Sequence, residues 1–141
     1  MITIDGNKYN ATWLQDFEQV ADILNGENSG RLQGTGKMYL EPLGTFFNHK
    51  GELRRDADCN DDTWNNLFLV LANPMNEHEV KFPFGKNQWL TQRVYISQVA
   101  RKLKYLKETH EWTRVYSVSF TAISPAWLPN TTSDLIKGLS K

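Results

Sequence analysis

Residues 111–129 read EWTRVYSVSFTAISPAWLP, and the spacing inside this stretch decides the fold class. In an extended chain Trp112, Tyr116, Val118, Phe120 and Ala122 fall on one face, and Thr113, Ser117, Ser119 and Thr121 on the other. A period of two with the aromatics on one face is the pattern of a half-buried antiparallel strand. Pro125 and Pro129 then stop the pairing, because proline has no N–H to offer a ladder. The stretch ends a sheet and holds no reactive apparatus, which points to a part that assembles rather than one that catalyses.

Working outward, residues 2–10 (ITIDGNKYN) predict a hairpin turning at Asp5-Gly6-Asn7. Residues 13–24 (WLQDFEQVADIL) fit two readings. One is a helix with Trp13, Phe17, Val20 and Leu24 on a stripe; the other is a strand followed by an irregular excursion. Residues 25–30 form a polar loop. In residues 31–47, Gly34, Gly36, Pro42 and Gly44 interrupt strand formers, as in a long bent or bulged strand or an edge. His49-Lys50-Gly51 reads as a turn, with residues 52–55 returning. The clearest helix covers residues 61–72, where Trp64, Leu67, Phe68 and Leu71 are spaced i, i+3, i+4 and i+7. Asn60, Asp61 and Asp62 suit its N-terminus, and Asn73-Pro74 ends it. Residues 78–84 and 88–100 read as strands, and residues 101–109 as a charged continuation or loop. The sum predicts a mainly β (α+β) chain: an antiparallel β-sandwich or barrel-like sheet with one flanking helix. Residues 1–129 form a single domain, and residues 130–141 a polar tail that is disordered or docked on a neighbour.

Sixteen basic and sixteen acidic residues give a formal net charge of zero over 141 residues. A neutral chain has no global field to hold it on DNA or on an anionic membrane, and its self-association meets little repulsion. The single cysteine, Cys59, permits no internal disulfide and suits a reducing compartment. The first ten residues are neither apolar nor basic enough for a signal peptide, and no apolar run approaches the ~20 residues of a membrane span. The expectation is a soluble protein made in a cytosol, with no membrane partner.

Few residues invite chemistry. Residues 56–62 (DADCNDD) place oxygen ligands at alternate positions, as a calcium loop begins. Position six is then Asp61 rather than glycine, and position twelve is Leu67 rather than glutamate. A polar lead-in to the helix accounts for the same residues. His49, His78 and His110 form no metal-binding spacing and are expected at the surface. Gly34-Thr35-Gly36 lacks the third glycine of a phosphate cradle, and a strand bulge fits it better. Arg101, Lys102, Lys104 and Lys107 make the one basic cluster; a hairpin tip or subunit contact fits it better than nucleic acid. No catalytic, cofactor or metal residue is assigned, and no cofactor is expected.

The order of elements then carries a resemblance. The chain opens on ITIDGNKY, passes a Leu43-Gly44-Thr45 step, and continues to a helix with Trp64, Leu67 and Leu71 ending in Asn73-Pro74. It closes on residues 118–125, VSFTAISP. This resembles small structural proteins of tailed phages and prophages of Gram-positive bacteria, and the order is similar to the tail-tube fold. The resemblance covers about residues 2–129. It implies a virion protein, assembled in the bacterial cytoplasm, that forms a ring, typically sixfold, with other tail proteins as partners and DNA only passing through the channel. Residues 31–55 and 88–112 would reach across to neighbours. On that basis Arg31, Tyr39, Phe46, Phe47, Arg54, Arg101, Lys102, Lys104 and Tyr105 are the expected interface residues. The alternative is a small phage-encoded module that caps a host protein through its acidic 56–62 and basic 101–107 patches.

Overall fold

The computed structural model describes residues 1–27, 29–106, 110–130, 136 and 138–140. The elements are β1 (Ile2–Ile4), β2 (Asn7–Tyr9), β3 (Ala11–Trp13), β4 (Glu18–Asn25), β5 (Gly30–Arg31), β6 (Met38–Tyr39), β7 (Pro42–Arg55), α1 (Asp61–Leu71), β8 (His78–Pro83), β9 (Trp89–Ala100), β10 (Leu103–Leu106), β11 (His110–Trp112), β12 (Val115–Ala122) and β13 (Leu139–Ser140). The long strands belong to one nine-stranded antiparallel sheet, ordered β2-β1-β8-β9-β12-β7-β3, with β13 added on β9 and β4 on β7. The sheet curls until β3 approaches β1, so the mainly β fold is barrel-like, with α1 on its flank. β10 and β11 make a separate two-stranded ribbon, as do β5 and β6.

The alternation read in residues 111–129 is the alternation found. Tyr116, Val118 and Phe120 are buried, whereas Ser117 is exposed and Ser119 and Thr121 half-buried. Their buried face meets Ile2, Ile4, Leu53, Val80, Phe82 and Val94 in one core. Helix α1 closes that core with Trp64, Leu67 and Leu71. Trp64 lies flat on Tyr116, ring centroids 3.8 Å apart, and the Tyr116 hydroxyl donates to the Trp64 carbonyl at 2.6 Å. Burial pushes the Tyr116 hydroxyl up to about 12, so it stays a donor. Asn60 caps the helix by accepting from the Thr63 N–H at 2.7 Å.

Four expectations change. Of the two readings of residues 13–24, the helix is excluded, and the strand is followed by a second ordered strand rather than an irregular excursion: a turn at residues 14–17 separates β3 from β4. Trp13 and Phe17 pack on the core at 5.8 and 6.2 Å from Phe82, while Val20 and Leu24 lie exposed on β4, so the helical stripe is divided between two surroundings. His49-Lys50-Gly51 is not a turn. β7 runs straight through it, because β12 bonds it on one side and β4 on the other. Gly51 is required there for space, since a Cβ would sit 2.6 Å from the Phe17 Cα. Gly34 and Gly36 are not a bulge within a strand; they turn the β5–β6 hairpin with φ of +93° and +70°. Leu139–Ser140 of the tail pairs with Trp89 and Leu90 of this same chain, and Ile136 packs near Phe47 and Leu90.

The proline-rich exit docks back on β7. Thr45 accepts from Ala126 at 3.0 Å and donates to the Trp127 carbonyl at 2.9 Å. Gly44, with φ +130°, permits this approach: a Cβ there would lie 2.7 Å from Pro125.

Candidate interaction surface

β4 is bonded to β7 over its whole length, Glu18 opposite Lys50 through to Asn25 opposite Pro42. Its other edge carries no strand among the described residues. No residue of β4 is buried: Val20 and Leu24 are exposed on one face, and Ile23, 69% exposed, on the other. The segment that follows, through the β5–β6 hairpin to the start of β7, adds exposed Leu32, Met38, Tyr39, Leu40 and Leu43. That segment is held in shape by its own bonds, Gly26 N–H to the Glu41 carbonyl at 2.7 Å and Glu41 N–H to Ser29 Oγ at 2.8 Å. Exposed apolar side chains along an open strand edge make it a template for a partner chain. Asp16, Glu18, Asp22 and Glu27 lie in residues 16–27 without a basic residue among them, although Lys50 of β7 lies opposite Glu18 and the Asn48 amide donates to Asp22.

The basic cluster occupies the β10–β11 ribbon. Lys102, Leu103 and Lys104 are exposed, and the backbone of Tyr105 pairs with Glu111. Lys107 lies outside the described residues. Arg101 is differently employed. Its guanidinium stacks between the rings of Phe68 at 4.1 Å and Trp112 at 4.2 Å and donates to Asn65 at 3.0 Å, clasping α1 to the ribbon.

Of the other expected interface residues, Arg31, Tyr39 and Arg54 are exposed, and Arg31 donates to the Gly36 carbonyl across its hairpin. Phe46 is half-buried, opposite Asp22 of β4. Phe47 is a correction: it points inward and packs edge-on to Phe84 at 5.5 Å, beside Leu90 and Ala126. Neighbours in a strand face opposite ways, so Phe46 and Phe47 cannot share a surface.

The residues weighed for chemistry have structural employment. Asp56 accepts from the Thr12 hydroxyl at 2.7 Å, and Asp61 pairs with Arg55 at 2.6 Å. Among the described residues no group of three or more His, Cys, Asp or Glu could hold a metal ion. Cys59 is buried, and burial pushes its thiol pKa up. A cleft of about 570 Å³ is lined by Arg55, Trp64, Arg101, Trp112, Arg114 and Tyr116, but its three arginines already bond to protein oxygens.

Two histidines expected at the surface are buried. His49 is 2% exposed and lies flat on Phe82, centroids 3.7 Å apart, with its Nε2 2.8 Å from the Gln19 amide of β4. Burial pulls its pKa down to about 4, so the ring is neutral near pH 7. His78 places Nδ1 2.8 Å from Asp5, whose other oxygen accepts the Glu79 N–H at 2.8 Å, fixing the first hairpin's turn to β8. His110 is exposed.

No family model, no characterised protein and no solved structure matches this chain.

Proposed function

We propose that this chain is a non-enzymatic structural subunit that assembles with copies of itself into a ring around the channel of a phage or prophage tail. The observation that carries the assembly part is β4, a strand of eight residues of which all but Asp22 are exposed, with no strand on its outer edge among the described residues and exposed apolar side chains along it. A lone protein gains nothing by keeping such an edge open, and a subunit uses it to continue its sheet into a neighbour. The curled antiparallel sheet with one helix supports the tail-tube-like reading of the element order, on which the place in a tail rests.

Native mass spectrometry and negative-stain electron microscopy of the purified protein test the reading. Closed rings or stacked rings are the expected result. A strict monomer at high concentration, with no assembly on adding other tail proteins, overturns it. A stoichiometric host protein in a pull-down from lysate, with no virion protein beside it, also counts against it.

A further inference from the structure

Zero net charge conceals two opposite blocks of equal size. Residues 16–27 hold Asp16, Glu18, Asp22 and Glu27 with no basic residue, and residues 101–107 hold Arg101, Lys102, Lys104 and Lys107 with no acidic one. Each block includes a strand with an open edge: among the described residues β4 bonds only to β7, and β10 only to β11. Both edges expose apolar side chains, Ile23 and Leu24 on β4 and Leu103 on β10.

The two edges sit at different ends of the sheet. β10 follows Ala100, which lies opposite Ser117 near the start of β12. β4 joins β7 at Lys50 and runs away from that end to Pro42. Another acidic block, residues 56–62, offers no such edge; within the 16–27 block Asp22 accepts from the Asn48 amide and Glu18 lies opposite Lys50, so its charge is partly met inside the chain.

We infer that the occupant of the β4 edge is the β10 edge of a second copy of this chain. This inference rests on the ring reading and names its contact. Main-chain bonds join the β10–β11 ribbon of one copy to the nine-stranded sheet of the next, while the ammonium groups of Lys102 and Lys104 meet the face of β4 that carries Glu18 and Asp22. The two patches are different surfaces, so the contact is head-to-tail and repeats around a ring rather than ending at a two-fold dimer.

The test uses two charge-reversed proteins, Glu18→Lys with Asp22→Lys, and Lys102→Glu with Lys104→Glu. The first has two basic edges and the second two acidic ones. Each alone should need roughly 100-fold more protein than the wild type to assemble, because like charges now meet. An equimolar mixture should regain assemblies containing both proteins in equal number. Reversed proteins that fold by circular dichroism and assemble alone like the wild type overturn this contact and leave the ring reading standing. So does a mixture that fails to recover. A wild type that never self-associates overturns the contact together with the reading beneath it. If the reversed proteins do not fold, the wild type decides: its assembly should weaken as salt rises from about 0.05 M to about 0.5 M, and insensitivity to salt overturns the contact.

Discussion

β12 and β4 each supply eight residues and each pair antiparallel with β7, but β12 buries Tyr116, Val118 and Phe120 while β4 buries nothing. The backbone bonding is of the same kind in both. What differs is the second layer: α1, β1 and β8 lie over the inner face of β12, whereas β4 projects past the core. Hydrogen bonding builds both strands, and apolar burial stabilises only one. The fold therefore concentrates stability around β12 and leaves β4 outside the core, which is where the proposed association would act.

Phe120→Ala should break the comparison most heavily on the buried side. Phe120 is 1% exposed and meets Phe82 edge-on at 5.1 Å, so its loss should cost about 3–5 kcal/mol in denaturant unfolding. A cost near zero would show that β12 is not the anchor.

Acidification should come next. His49 is neutral in the fold at about 4 against 6.5 unfolded, so the unfolded chain takes the proton first. Its contribution is complete above pH 6.5 and is lost as pH falls toward 4, about 3 kcal/mol in all. His49→Phe keeps a ring on Phe82 and should flatten the stability profile between pH 6.5 and 5. An unchanged slope in that variant would remove His49 as the cause.

Gly51→Ala tests the place where β7 passes from one neighbour to the other. The new methyl meets the Phe17 Cα, and the shift it forces should cost about 1–3 kcal/mol, read as a lower unfolding midpoint. Ile23→Thr on β4 should change stability by no more than about 0.5 kcal/mol while weakening self-association. A large loss of stability there would show that β4 belongs to the core after all.

How far the fold was legible depended on whether a segment meets one environment or two. β12 and α1 each lie between a core and solvent, so their patterns matched the elements found. β4 has solvent on both faces and therefore no period of two, which left the helix reading of Trp13, Phe17, Val20 and Leu24 open. Lys50-Gly51 has turn chemistry, which masks the burial of His49 in the sequence. The alternation Phe47, His49, Gly51, Leu53 was present and was the better signal, since these four share one face of β7. For the interaction surface, the acid-only run at residues 16–27 was visible in the sequence. Its juxtaposition with an open strand edge was not, because edges follow from long-range pairing such as β12 with β7.

β7 also orders events in time. Its partner β4 precedes it in the chain, and β12 follows only after α1 and four further strands. On a ribosome the β4–β7 ribbon is synthesised whole while the other side of β7 waits on the order of several seconds for residues 115–122. During that interval β7 is a two-sided nascent strand with one side bonded and the other bare. The β4 edge proposed for assembly is thus complete before the core around β12 can close.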